Sequence, residues 1–278
     1  MDVINYAAPR ELLVTAKGHP YERDAFATLF EGLDDYRWSL VEQPAAQHLI
    51  RPSLREQFAA CVCYDMPGVD FTATDAPGLI EPDSVFKQGF LDLLEAGMGF
   101  VFLHHSIAAW PAWEEYAEIL GGRFHYRAGT LRGGHWPDSG YCHKVAHTLS
   151  VVAEHPVTAG LPPQFDMVDE MYLCPIFEDS LTPLLRSNYR FEKESFYSAG
   201  RAVAGELNSR EGWSHPDGSN LVGWAKHYRN SPIVYLQGGD DAEAYASPGY
   251  RQLLHNAIRW VSSEQAHQWA REKNNREN

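Results

Sequence analysis

Cysteine, positive charge and long apolar runs are all in short supply in this chain, and each shortage removes a class of protein. The four cysteines, at 61, 63, 142 and 174, form neither a CxxC pair nor a dense framework, which excludes a disulfide-stapled scaffold. Cys61 and Cys63 sit two apart in the strand-like run Ala59–Tyr64 and therefore share one face, as reduced, partly buried thiols of a cytoplasmic protein would. Lysine and arginine total 23 against 37 aspartates and glutamates, a net charge of −14. That balance argues against nucleic acid and against an anionic membrane surface as partners. No stretch of roughly 18 apolar residues occurs, so no transmembrane helix is expected. The segment Met1–Arg10 has neither a basic start nor an apolar stretch, and no secretory signal is expected there.

What the chain does have is a core. Hydrophobic residues make up 44% and aromatic residues 13% of 278 positions, ample for a buried interior. Strand-like and helix-like segments alternate. Glu11–Thr15, Trp38–Glu42 and Ala59–Tyr64 read as strands; Asp24 to Gly32 shows helical spacing in Phe26, Leu29 and Phe30. Phe86, Phe90, Leu93 and Leu94 form a helical stripe that Gly97 and Gly99 terminate, and Trp110–Leu120 reads as the next helix. Ala146–Val152 is strand-like, and Phe165–Tyr172 follows a turn-rich connection over His155–Pro163. Leu221–Ala225 and Ile233–Gln237 are joined too tightly for a crossover helix and predict an antiparallel pair, followed by a helix through Tyr250 to Val261. The order predicts an α/β fold with a mainly parallel sheet and helices on both faces. With no repeat and no long linker, one domain over residues 1–278 is expected, its core spanning about 11–262. Residues 265–278 are polar, without a core signal, and are expected to fray.

The segment Gly99–Trp110 carries most of the functional information. Its apolar run Phe100–Leu103 breaks abruptly into His104, His105 and Ser106. A buried parallel strand delivers polar side chains to the mouth of a sheet in this way, and ligands of open α/β sheets collect there. Hydrogen-bonded packing beside the sheet edge is the alternative reading of the two imidazoles.

Several further segments, in order, carry a resemblance. They are Gly18-His19-Pro20, Tyr64-Asp65-Met66, Leu103-His104-His105-Ser106, Trp113–Tyr116 with Gly121–Phe124, His155–Leu161 with Asp169–Tyr172, and Gln237–Asp240 with Asn256–Trp260. On these the chain resembles the ThuA-like (trehalose utilisation) family over about 11–260. The resemblance implies a class I glutamine amidotransferase-like fold, a flavodoxin-like three-layer sandwich, and a role in carbohydrate metabolism. It also shows what is missing. Amidotransferases of this fold place a nucleophilic cysteine at the elbow and a histidine after a late strand. Here the elbow reads His104, and Gly239 stands where the ThuA-like pattern has the histidine of Gly-His-Asp. Glutamine hydrolysis through a thioester is not expected.

What remains is a set of imidazoles and carboxylates at strand ends. His104 and Glu170 are the candidates for acid–base chemistry; His19, Asp65, His105, Arg127, His135 and Asp240 are the candidates for binding a sugar. The segment 124–138, with His125, Arg127 and His135, is placed to fold over the mouth, and Trp110, Trp113 or Trp136 to stack on a sugar ring. A divalent metal such as zinc on His104, His105, His19 and a carboxylate suits the residue types, but no HExxH-like spacing supports it, so no metal ligands are assigned. His143 and His147, four apart, fall at a strand entry and share no helix face. Two functions stay open: an enzyme acting on a disaccharide or keto-sugar derivative, and a non-catalytic sugar-binding or regulatory protein on the same fold. The expected partner is a small sugar; the residues leave self-association open.

Overall fold

A computed structural model describes residues 9–277, so all but the last two positions of Met1–Arg10 lie outside the described residues. Its strands and helices, in chain order, begin with β1 (Arg10–Lys17), α1 (Arg23–Ala27), β2 (Tyr36–Glu42), β3 (Ala60–Asp65), β4 (Val69–Asp70), β5 (Gly78–Leu79), α2 (Ser84–Glu95), β6 (Phe100–Leu103) and α3 (Glu114–Leu120). Then come β7 (Gly129–Leu131), β8 (Gly134–Trp136), β9 (Gly140–Val151), β10 (Gln164–Leu173), β11 (Thr182–Ser187), β12 (Tyr197–Ser198) and α4 (Ala199–Val203). The chain closes with β13 (Leu221–Tyr228), β14 (Ser231–Leu236), α5 (Ala242–Tyr245), α6 (Pro248–Val261) and α7 (Glu264–Glu277).

One sheet runs β10-β9-β11-β13-β14-β6-β3-β1-β2, with β12 on β9. The block β14-β6-β3-β1-β2 is parallel throughout, and beyond β14 the added strands are antiparallel. The expected hairpin is β13–β14, with Gly223 opposite Leu236. Register explains the layers. Val14, Val62, Val101 and Val234 form one row across β1, β3, β6 and β14, and this face packs against α6 through Leu253, Leu254, Ala257 and Ile258. The next row, Leu13, Cys61, Phe100 and Ile233, faces the opposite way, toward Phe90, Leu93 and Leu94 of α2. Cys61 and Cys63 do share that second face, as free thiols. The protein is a three-layer α/β sandwich.

Three expectations about elements need correction. The helix at Trp110–Leu120 starts only at Glu114, because Pro111 disfavours helical backbone at Trp110, which instead takes φ +47°. The strand at Ala146 starts at Gly140, six residues earlier. The expected fraying tail is α7: Ala266 and Ala270, one turn apart, are buried, and Trp269 packs on Trp260 at 5.3 Å between centroids. Two alanines and one indole are too thin a stripe to stand out of a polar sequence.

Gly99 shows how tightly the layers close. A Cβ there would meet the Val261 carbonyl oxygen at 2.1 Å and its carbon at 2.7 Å, backbone atoms that no rotamer change can move. Gly99→Ala is therefore expected to cost about 1–3 kcal/mol, the usual scale of overpacking. Thermal unfolding checks this; a melting temperature equal to the parent's would mean that α6 slides freely on β6.

Candidate functional site

Five chain segments meet where the parallel strands end. β6 delivers His104, which leaves the strand at φ +45° and opens a turn of 3-10 helix over His104–Ala108. A left-handed backbone at a non-glycine residue costs about 1–2 kcal/mol and must be held. The Tyr235 hydroxyl donates to the His104 carbonyl at 2.8 Å, and His104 Nδ1 donates to the Gln237 carbonyl at 2.7 Å. With Nδ1 fixed, Nε2 points into the site. It lies 3.0 Å from Glu170 Oε2, 3.4 Å from Asp240 Oδ1 and 2.8 Å from the Tyr172 hydroxyl, and the ring stacks on Tyr172 at 4.7 Å.

Glu170 owes its position to a β-bulge. Asp169 pairs with Val145 and Met171 with Cys142, so His143 and Lys144 together oppose the single residue Glu170. Lys144 takes φ +55° there. The bulge turns Glu170 and His143 toward each other, with His143 Nδ1 3.3 Å from Glu170 Oε1 and 3.8 Å from Asp240 Oδ2. Because Glu170 also touches His104, this part of β9 and β10 must lie across the ends of β6 and β14.

Asp240 is set by its neighbours. The Asp169 carboxylate accepts from the backbone N–H groups of Gly239 (2.7 Å), Asp240 (3.0 Å) and Glu170 (2.8 Å), binding the loop after β14 to β10. Gly239, at φ +109°, is required: a Cβ would sit 2.4 Å from the Tyr250 hydroxyl, so a histidine at this position would not fit.

Burial and charge set the chemistry. His104 is fully buried and Glu170 nearly so, while the Asp240 side chain is 15% and the His143 side chain 50% exposed, so the centre is wet on the His143 side. Burial alone would lower the pKa of His104, but hydrogen bonds to Asp240 and Glu170 override it and hold the ring cationic, well above the ordinary histidine value. His143 is raised by its contact with Asp240. Burial pushes up against the Asp240 carboxyl, yet His104 and His143 together hold it far below the usual carboxylate range. Burial raises Asp169 to about 6 despite its three N–H donors. His19, at the mouth, is lowered by burial and then by the charge of His104.

Of the residues singled out from sequence, His104, Glu170 and Asp240 meet at one centre. His19 and His105 border it: His19 stacks on His105 at 4.6 Å and lies 6.4 Å from His104, centroid to centroid. The others do not converge. Asp65 turns to the opposite face of β3, where Thr15 (2.7 Å) and Gln43 (2.5 Å) donate to it. Arg127 is exposed and donates to the Pro77 carbonyl. His135 is exposed on the β7–β8 hairpin, which packs through Leu131 and Trp136 on Ala117 and Phe177 instead of covering the mouth. His125 is buried beneath that hairpin. Trp110 and Trp113 are buried against Phe86, so neither is a platform for a sugar.

Sequence reasoning missed His143, Tyr172 and Asp169 as parts of the centre. His143 was legible only if β9 began at Gly140, and no sequence pattern announces a bulge made of His and Lys.

The profile of one family, ThuA, described as trehalose utilisation, matches residues 74–261. The match contains His104, His143, Glu170 and Asp240, and begins after His19. A solved structure described as a ThuA-like protein of Parabacteroides merdae ATCC 43184 is similar, with a TM-score of 0.62 and 14% identity, covering 92% of this chain and 90% of that one. A ThuA-like protein of Bacteroides uniformis ATCC 8492 gives a TM-score of 0.58 and 18% identity, covering 92% of both chains. At such identities the likeness speaks for the fold alone. No curated protein matches the chain.

Proposed function

The chain belongs to the ThuA, trehalose utilisation, family, and from that premise we propose that it is an enzyme of carbohydrate metabolism acting on a disaccharide or keto-sugar derivative. The observation that carries this is the convergence of His104, His143, Glu170 and Asp240 from four separate segments on one centre with a wet side. A purely structural role would be served as well by apolar side chains, because buried charge clusters add little net stability. The set suits a hydroxyl-rich ligand. Asp240 and His19 accept from or donate to hydroxyls at the mouth, His143 exchanges a proton with the bound sugar, and His104 with Glu170 fixes the charge behind them. This reading places the protein in the cytoplasm with a small sugar as its partner.

Glutamine hydrolysis is not part of it. The elbow carries an imidazole, and Cys61, Cys63 and Cys174 are buried with thiols pushed up by burial, Cys174 to about 12.

One observation favours the second reading, a sugar-binding or regulatory protein. His104 is wholly enclosed, so a ligand at rest would touch only Asp240, His143 and His19. A panel of disaccharides and their keto derivatives separates the two. At least one member is expected to raise the melting temperature and to be consumed, while glutamine releases no ammonia above the buffer blank. A shift without consumption would leave the binding protein; no shift with any member would remove both.

A further inference from the structure

We infer that the centre is a divalent-metal site, with His104 Nε2, Glu170 and Asp240 as its protein ligands and His143 outside them, holding the far oxygens of the two carboxylates at the wet side. It lies within the site of the proposed function and rests on that reading only for what it acts upon. The first argument is donor arithmetic. Nε2 of His104 can carry at most one proton, yet two carboxylate oxygens crowd it, Glu170 Oε2 at 3.0 Å and Asp240 Oδ1 at 3.4 Å. Glu170 and Asp240 both bring charge, and one N–H aims at one acceptor well. A cation seated between the atoms satisfies all of them.

The second argument is spacing. One donor atom from each of His104, Glu170 and Asp240 lies within 4.8 Å of the other two. Ligands about 2.1 Å from an ion are about 3.0 Å apart at octahedral angles and about 3.4 Å apart at tetrahedral ones. The two His104–carboxylate separations match those values. The third argument is orientation. A ligating histidine needs its other nitrogen tied to an acceptor so that the lone pair is aimed, and the Gln237 carbonyl does this at Nδ1. Asp169 does the same for the carboxylate side by gripping the Glu170, Gly239 and Asp240 amides.

The donors name the class of ion. Imidazole with carboxylates suits zinc and its neighbours such as manganese, and is poor for magnesium, which prefers oxygen and retains water. His143 is half exposed, so the ion would keep an open position toward His19, where a sugar hydroxyl or carbonyl oxygen would bind. The ligand set differs from the one the sequence suggested. His105 is not in it, because its Nε2 donates to the Tyr64 carbonyl at 3.2 Å on the other side of the elbow.

The test uses the full chain, stripped with EDTA and dialysed. Titration calorimetry with Zn2+ and with Mn2+ is expected to give one equivalent of binding. Either ion should raise the melting temperature by several degrees, and Mg2+ at the same concentration should not. Glu170→Gln and Asp240→Asn should each weaken binding at least a hundredfold, and the exposed His143→Gln, which does not threaten the fold, about tenfold. No binding of either ion by the stripped protein, or equal binding by all three variants, overturns the inference and leaves His104 a plain imidazolium. Repeating the sugar panel in EDTA keeps the two claims apart. A sugar response with no metal binding removes this inference alone, and metal binding without any sugar response removes the proposed function alone.

Discussion

Glu170→Gln is expected to lower turnover of the responsive sugar by a factor on the order of 10²–10⁴, the range set by losing a positioned proton-transfer or charge-holding group. The substitution keeps the size of the side chain and removes only its charge. Glu170 touches His104 at 3.0 Å and His143 at 3.3 Å, so its carboxylate is the element common to the buried and the wet halves of the centre. Removing it disarms both. An amide at 170 still accepts through Oε1 and donates through Nε2, so the buried position keeps a polar side chain of the same size. Alanine at 170 or 104 is a poorer test. Both side chains are more than nine-tenths buried, and truncation would leave a charge unpaired at a cost of about 3–5 kcal/mol. The readout is turnover together with the melting temperature. Full activity in a folded Glu170→Gln protein would show that the centre is structural and that the chemistry lies elsewhere.

The parallel block of the sheet was legible in the sequence because its strands are short apolar runs punctuated by glycine and polar residues. Phe100–Leu103 ending in His104 is the clearest case, and its ring does reach the centre. Asp240 was legible for the same reason, in the turn after an apolar strand, whereas Glu170 sits inside β10 and reaches the centre only through the bulge. Asp65 looked identical by that criterion and failed. Side chains alternate along a strand, so Tyr64 and Asp65 leave β3 on opposite faces, and Tyr64 took the face toward the site. His135 stands away from the centre because a glycine-rich hairpin carries it outward, and the direction of a hairpin is not written in its sequence; Arg127, just before that hairpin, turns to the Pro77 carbonyl. His143 is the instructive loss. It is placed by a bulge, a one-residue slip between the consecutive strands β9 and β10, and only pairing reveals it.

The largest effect of pH is expected on the fold. His125 and His147 are each about 93% buried, and burial lowers each ring to about 4. Nδ1 of His147 contacts the Ser187 hydroxyl at 2.9 Å, and no partner faces Nε2 of either ring. A proton added there would be a buried charge without an acceptor. In the unfolded chain both titrate near the ordinary value of about 6.5. Between about pH 6.5 and 4, therefore, the unfolded chain binds protons that the folded one refuses, and stability falls as pH falls. Above that window the penalty is absent; below about 4 it stops growing. One pKa unit corresponds to about 1.4 kcal/mol, so each ring accounts for roughly 2–3 kcal/mol at pH 4 and the pair for about 5 kcal/mol. That is a large share of the roughly 5–15 kcal/mol that holds a domain folded. Urea unfolding at pH 7.0, 6.0, 5.0 and 4.5 measures the slope, and His147→Gln isolates one ring while keeping a donor for Ser187. The variant should lose less stability between pH 6 and 4.5 than the parent, by about one proton's worth of slope. Parallel curves for the two proteins would mean that His147 takes up its proton in the folded state, and that the acid sensitivity comes from other groups.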